Sequence, residues 1–156
     1  MAMHIQETKS YYSLPNNKNI KLLFQDTISG EWAFSYFSLY KLANCIILIY
    51  DITDNKSFQE IFTFLANINT FCKDFKKVLL LGNKTDKEKE REIPFQEADN
   101  YAREYGFPYM EISCAENNNI LEAVEKAIEI GLKNSEKKNI SQNKGSKPKK
   151  KSNSTV

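Results

Sequence analysis

No stretch of the 156 residues approaches the roughly 18 to 20 apolar residues that cross a bilayer, and the opening Met1-Ala2-Met3-His4-Ile5-Gln6-Glu7 has neither the basic nor the apolar region of a signal peptide. The expectation is a soluble, intracellular chain. His4 is the only histidine, with no Ser, Cys or carboxylate arranged around it for catalysis, so it reads as ordinary surface. Cys45, Cys72 and Cys114 are odd in number, widely spaced and set in apolar or strand-like contexts, which fits reduced core thiols and argues against a disulfide or zinc framework. There is no internal repeat. Gly-x-x-x-x-Gly-Lys-Ser/Thr, the loop whose N–H groups cradle nucleotide phosphates, occurs nowhere in these residues.

What is present supports one domain with a real core, since 41% of residues are apolar and 12% aromatic. The net charge of +2 conceals a division. Residues 133 to 156 hold eight Lys and one Glu, a balance of +7, so residues 1 to 132 carry −5. The body is acidic and the tail basic.

Residues 9 to 14 and 20 to 25 are β-rich runs separated by Pro15-Asn16-Asn17-Lys18-Asn19, which predicts a hairpin. Trp32 to Leu42 is an aromatic segment read as a short helix. Its Trp32, Phe34, Tyr36 and Phe37 suit either core packing or an exposed partner-facing patch. Cys45 to Tyr50 is a continuous apolar run, as in a strand covered on both faces, and Asp51 follows at its carboxyl end. Apolar residues from Phe58 to Ile68 recur at helical spacing, and Lys77 to Leu81 is the next buried strand. Pro94 opens a helix that ends at Gly106 in the usual C′ manner. Phe107 to Ile112 is a strand, and from Ile120 to Leu132 the spacing gives a long amphipathic helix. Alternating helices and strands predict an α/β fold of three layers, a mainly parallel sheet flanked by helices, with its functional edge at the strands' carboxyl ends. Beyond Leu132 the composition falls to Lys, Asn, Ser, Gln and Gly, so a domain over 1–134 and a disordered polybasic tail over 135–156 are expected.

The buried run Leu79-Leu80-Leu81-Gly82 leads straight into Asn83-Lys84-Thr85-Asp86, and Ser113-Cys114-Ala115 follows the next strand. With Lys21 to Thr27, Leu39 to Ala43, Ile49 to Asp54, Ser57-Phe58, Glu97-Ala98, Tyr101-Ala102, Gly106 to Pro108 and Glu111 to Ser113, the ensemble resembles the Ras superfamily of small GTPases, its Rab branch above all. The resemblance runs from about residue 5 to residue 132 and implies the P-loop small GTPase fold, GTP or GDP with magnesium as ligands, and protein effectors or regulators as partners. By resemblance, the Asp86 carboxylate accepts two hydrogen bonds from the guanine edge, Asn83 braces the loop, and the Lys84 stem lies on the ring. Ser113, Cys114 and Ala115 form the second base loop, where the Cys114 N–H reaches the base oxygen. Asp26, Thr27, Ser29 and Gly30 are the remnant of the second switch, with Asp26 as an indirect magnesium contact or simply a cap on the following turn.

The departures fall on phosphate handling. Met3 stands where a magnesium-sensing Thr is expected, Ser29 where a Gly is expected, Gly30 where a Gln orients water, and Ala115 where the base loop carries Lys. The first strand, phosphate loop, first helix and first switch have no counterpart, so the expectation is an N-terminally truncated fold. Strands 20 to 25 and 45 to 50 then either pair directly or keep unpaired edges. A phosphate loop supplies about half a dozen charge-assisted bonds, so about 10 kcal/mol of affinity is absent, leaving millimolar recognition of guanine. The implied function is a Rab-like domain degenerate in phosphate binding and hydrolysis, acting as a binding module linked to vesicle traffic; the alternative is a guanine-nucleotide hydrolase known here as a truncated gene model or splice form. Lys144 to Lys151 is polybasic but no Cys follows, so a prenyl anchor is not expected. Such a run contributes about 1 kcal/mol per basic residue at an anionic membrane, enough for weak contact. Lys147 to Lys151 also fits a nuclear address, and Ser154-Thr155-Val156 a PDZ ligand. No nucleic-acid partner is expected, and the implied location is cytoplasmic, peripheral to endomembranes.

Overall fold

The structure is a computed structural model that describes residues 6–14, 17, 19–26, 37–72 and 77–145. It divides into two compact units, Met1–Lys41 and Leu42–Val156.

In the first unit, β1 (Gln6–Ser13) and β2 (Asn19–Asp26) form an antiparallel hairpin in register from Gln6 opposite Asp26 to Ser13 opposite Asn19. The turn closes through Asn17, whose φ of 59° suits a residue that tolerates the left-handed region. The Ser13 hydroxyl donates to Asn19 Oδ1 at 2.7 Å. The expected hairpin is present, with longer strands. Short helix α1 (Phe37–Leu42) closes the segment read as helical; Trp32, Phe34 and Tyr36 lie outside the described residues.

The second unit is built on a parallel sheet in the order β3 (Ile46–Asp51), β4 (Val78–Asn83), β5 (Tyr109–Glu111). Among the described residues β3 has a ladder on one edge only, to β4. Helices α2 (Asn55–Cys72), α3 (Phe95–Tyr105) and α4 (Ile120–Gly145) complete it. The register sets the layers. Tyr50 lies opposite Gly82, so Ile46, Leu48 and Tyr50 share a face with Val78, Leu80 and Gly82. Tyr50 there meets Phe58 of α2 at 4.8 Å between ring centres, and Phe58 meets Tyr101 of α3 at 6.0 Å, which puts α2 and α3 on that side. Leu79 and Leu81 point the other way and cluster with Ile112 and with Ala123, Ala127 and Ile130 of α4. Central strand β4 is therefore covered on both faces, and its run from Val78 to Gly82 is buried throughout, as its unbroken apolar sequence predicts.

Local signals set the helix ends. Asp54 Oδ1 accepts the Lys56 N–H at 2.9 Å and caps α2. Gly106, at φ 75°, ends α3 and returns its N–H to the Ala102 and Arg103 carbonyls.

Two expectations need correction. The strand over Phe107 to Ile112 shortens to Tyr109–Glu111, the residues that find partners on β4. The tail is not irregular from 135: α4 runs on to Gly145. The polar residues at its start are used in packing, since buried Asn134 donates to the Asn44 carbonyl at 3.3 Å and Asn44 Nδ2 donates to Ser135 Oγ at 2.9 Å. Composition alone does not reveal such contacts, and no Pro interrupts the run before Pro148. Residues 146–156 lie outside the described residues.

Candidate functional site

Strand β4 delivers Asn83 to the carboxyl edge of the sheet, and the chain turns at once. Lys84 sits in the left-handed region at φ 73° and ψ 38°, and a 3-10 turn over Thr85–Glu90 follows. A lysine held there costs about 1 kcal/mol or more, so its neighbours must hold it. They do: the Asn83 carbonyl accepts the Ile52 N–H at 3.1 Å, the Ile112 carbonyl accepts the Thr85 N–H at 3.2 Å, and the Lys84 carbonyl accepts the Lys87 N–H at 2.8 Å. The first two bonds tie the loop to the chain just beyond β3 and β5.

The second loop leaves β5 through fully buried Ser113, which pairs with Asn118 by N–H bonds in both directions at 3.1 and 2.9 Å. Asn117 and Asn119 take φ of 55° and 57°, again a conformation that asparagine accepts. The Ser113 hydroxyl donates to Asp86 Oδ1 at 2.5 Å and accepts the Glu116 N–H at 3.1 Å. The Cys114 N–H donates to Asn83 Oδ1 at 3.1 Å. Asn83 to Cys114 and Asp86 to Ser113 are thus two stitches joining the loops. Cys114 and Ala115 are exposed beside them.

Among the cysteines read as core thiols, Cys45 is half-buried, and burial, opposed by the Lys77 charge, pushes it up to about 12. Cys114, by contrast, is a free thiol on the exposed loop rim. The side chain of Cys72 lies outside the described set.

Asp86 is exposed, and Oδ1 carries the Ser113 bond. A carboxylate has about four lone-pair sites, so acceptors remain for a ligand with two adjacent donors. Guanine offers such a pair in its ring N–H and exocyclic amine, and adenine does not. The residues present fit a guanine base. The Cys114 N–H expected at the base oxygen is engaged with Asn83, where it sets the loop spacing.

Two further features were not singled out by sequence reasoning. The first is an ion pair: Lys84 Nζ lies 2.6 Å from Asp51 Oδ2. Burial alone would raise the Asp51 carboxyl, but the hydrogen bonds from Lys84 and Thr53 outweigh it and hold it below the usual carboxylate range. The bond to Asp51 in turn raises Lys84.

The second is a network beneath the loops. The Tyr50 and Tyr109 hydroxyls meet at 2.7 Å, and the Tyr109 hydroxyl donates to Glu111 Oε1 at 2.7 Å. Arg91 grips the two Glu111 oxygens at 2.8 Å each and Glu88 at 2.8 and 2.7 Å. Burial pushes Tyr50 up to about 12 and raises Tyr109, while Glu111 and then Glu88 raise Arg91, so the tyrosines stay neutral and the arginine charged near pH 7. Gly82 leaves room for both hydroxyls: a Cβ there would stand 2.8 Å from one and 2.9 Å from the other. The register sets Gly82 opposite Tyr50 on one side and Glu111 on the other, with Tyr109 two residues before Glu111 on β5.

Asp26 is the exposed last residue of β2, in the other unit, and Thr27, Ser29 and Gly30 lie outside the described residues. Among the described residues no three His, Cys, Asp or Glu gather into a metal-holding group. Nor is any described helix long and apolar enough to cross a membrane. Of the polybasic run, Lys144 is helical backbone and Lys147 to Lys151 are outside the described set.

A fold of this topology, with Asn-Lys-x-Asp and Ser-Cys-Ala loops stitched at one sheet edge, defines a class, and comparison with known proteins assigns it. The Ras family model matches residues 3–133, so the chain belongs to the Ras family. Within it the chain is a Rab-branch small GTPase domain. It is 37% identical over 110 residues to Ras-related protein RABD2a of Arabidopsis thaliana, covering 69% of this chain and 54% of that protein. It is 40% identical over 108 residues to Ras-related protein Rab-13 of Bos taurus, covering 68% and 53%. A third relative, GTP-binding protein YPTM1 of Zea mays, is 38% identical over 108 residues, covering 68% and 51%. The chain spans about half the length of the curated relatives it matches.

Proposed function

We propose that this chain is a Rab-like domain that reads the guanine base through Asp86 and the Lys84 stem, with Asn83, Ser113 and Cys114 bracing the loops that present them, is degenerate in phosphate binding and hydrolysis, and serves as a protein-binding module in vesicle traffic. The single observation that carries the base half is the double stitch, Ser113 Oγ to Asp86 at 2.5 Å and Cys114 N–H to Asn83 at 3.1 Å, which leaves an exposed carboxylate held in place. Such preorganisation spares the cost of ordering the loops on binding. What supports the degenerate half is substitution: Ser29, Gly30 and Ala115 stand where the resemblance has Gly, Gln and Lys.

On this reading GTP or GDP binds weakly, with its base on Asp86 and its phosphates and magnesium poorly held. Partners are protein effectors or regulators, with no nucleic acid. The chain is cytoplasmic and peripheral to endomembranes, helped by weak contact of Lys144 to Lys151 with anionic lipid.

A second reading, a guanine-nucleotide hydrolase, is favoured by the stitching of the two loops to each other. Titration of the full chain with GDP, GTP and ADP in magnesium, followed by NMR shifts and calorimetry, separates the two. Guanine-selective binding in the millimolar range supports the module, and submicromolar GTP binding supports the hydrolase. Equal response to ADP and GDP sinks the base assignment itself.

A further inference from the structure

We propose that Asp51, at the carboxyl end of β3, is a positioning residue for the guanine site, holding the Lys84 ammonium so that the lysine stem is fixed beside the base position before nucleotide arrives. The inference rests on the guanine reading above and adds a residue from a different strand.

The register places Asp51 directly opposite Asn83, so Lys84 begins one residue beyond its neighbour on the adjoining strand. Asp51 is itself held at several atoms. Its Oδ1 accepts the Thr53 N–H at 2.9 Å and the Thr53 hydroxyl at 2.8 Å, and its own N–H donates to Ser57 Oγ at 2.9 Å. Ser57 Oγ donates onward to the Asp54 carbonyl at 2.8 Å, at the capped start of α2. That leaves Oδ2 for Lys84 Nζ at 2.6 Å.

Exposure separates the two side chains: Asp51 is 21% exposed and Lys84 is 46% exposed. The carboxylate is an enclosed anchor, and the lysine remains open along part of its stem to a ligand. A partly exposed ion pair does little for stability. Holding a four-methylene side chain in one place lowers the cost of ordering it on binding, which corresponds to roughly three- to tenfold in affinity.

The test is a cycle of full-length chains, wild type, Asp51→Asn, Lys84→Met and the double variant, titrated with GDP and ADP by NMR shifts and each checked by thermal melting. Asp51→Asn is expected to weaken GDP binding three- to tenfold when Lys84 is present and to change nothing when Lys84 is Met. A general structural role would weaken binding in both backgrounds, and that result overturns the proposal, as does no weakening in either. Should Asp51→Asn melt below the assay temperature, Asp51→Glu keeps the charge but moves the carboxylate by one methylene, and the same background dependence is required of it. Wild-type chain that does not prefer GDP to ADP defeats the guanine reading and this proposal together; a wild-type preference without the Lys84 dependence defeats this proposal alone.

Discussion

Replacing Asp86 by Asn changes one oxygen into an amide nitrogen, and the surroundings of that atom determine the outcome. Ser113 Oγ donates to Oδ1, so an asparagine retaining its carbonyl there keeps the stitch to the second loop and turns its NH2 outward. The loop itself should survive, because its bonds to Ile52, Lys87 and the Ile112 carbonyl are made by backbone atoms. What changes is the face offered to a base: one of the two acceptors for guanine's donors becomes a donor. A hydrogen bond to a charged group contributes about 1.5 to 3 kcal/mol, so guanine nucleotide binding should fall by roughly 10- to 150-fold. Xanthine carries an oxygen in place of guanine's amine and should gain what guanine loses. The assay is NMR titration of wild type and Asp86→Asn with GDP and xanthosine diphosphate, reading the ratio of affinities within each protein. Reversal of that ratio with an unchanged melting temperature is the expected result. An unaltered GDP preference in the variant would show that Asp86 does not face the base.

Gly82→Ala should destabilise the domain by about 1 to 3 kcal/mol through overpacking, because the new Cβ would stand 2.8 Å from the Tyr109 hydroxyl and 3.1 Å from Ile52 Cγ2. Urea melts measure it, Tyr109→Phe in the same background should return part of the loss, and a variant as stable as wild type would refute the contact. Asp51 has a folded pKa lowered below its ordinary 3.8, so its contribution is present above that value and fades as pH falls through the lowered folded value. The stability gap between wild type and Asp51→Asn should therefore stay constant from pH 7 to 5 and narrow only in stronger acid, and a gap that closes by pH 5 in stepped urea melts would contradict the pairing with Lys84.

Much of this fold could be read from one dimension because its signals are local. The unbroken apolar run before Gly82 marked a strand covered on both sides, and Gly106 marked the end of α3 through a conformation few residues accept. The hairpin was legible for the same reason, since turn residues separate two β-rich runs. The Asn-Lys-x-Asp and Ser-Cys-Ala loops were legible as motifs, and the structure brings Asn83, Asp86, Ser113 and Cys114 together by hydrogen bonds. What sequence could not give depends on registry across strands. Nothing near Asp51 in the chain points to Lys84, 33 positions away, until β3 and β4 align Asp51 with Asn83. The Tyr50, Tyr109, Glu111 and Arg91 chain is hidden in the same way. The continuation of α4 was missed because a polar composition reads as solvated, whereas Asn134 and Ser135 use their polarity to bind Asn44.

The physical link between these features is that the Asn-Lys-x-Asp and Ser-Cys-Ala loops are fastened to the ends of three adjacent strands. Ile52 holds the Asn83 carbonyl, Ile112 holds Thr85, and the Arg91 to Glu111 pair anchors β5 just before Ser113. A bidentate pair whose partners are each less than a fifth exposed is worth far more as a geometric constraint than a surface bridge, since both charges lose water if it breaks. The same sheet edge reaches Asp86 through the Ser113 hydroxyl. The two stitched loops therefore draw their order from the ends of β3, β4 and β5, all of them within residues 42 to 145, which is the physical ground for the guanine site proposed above.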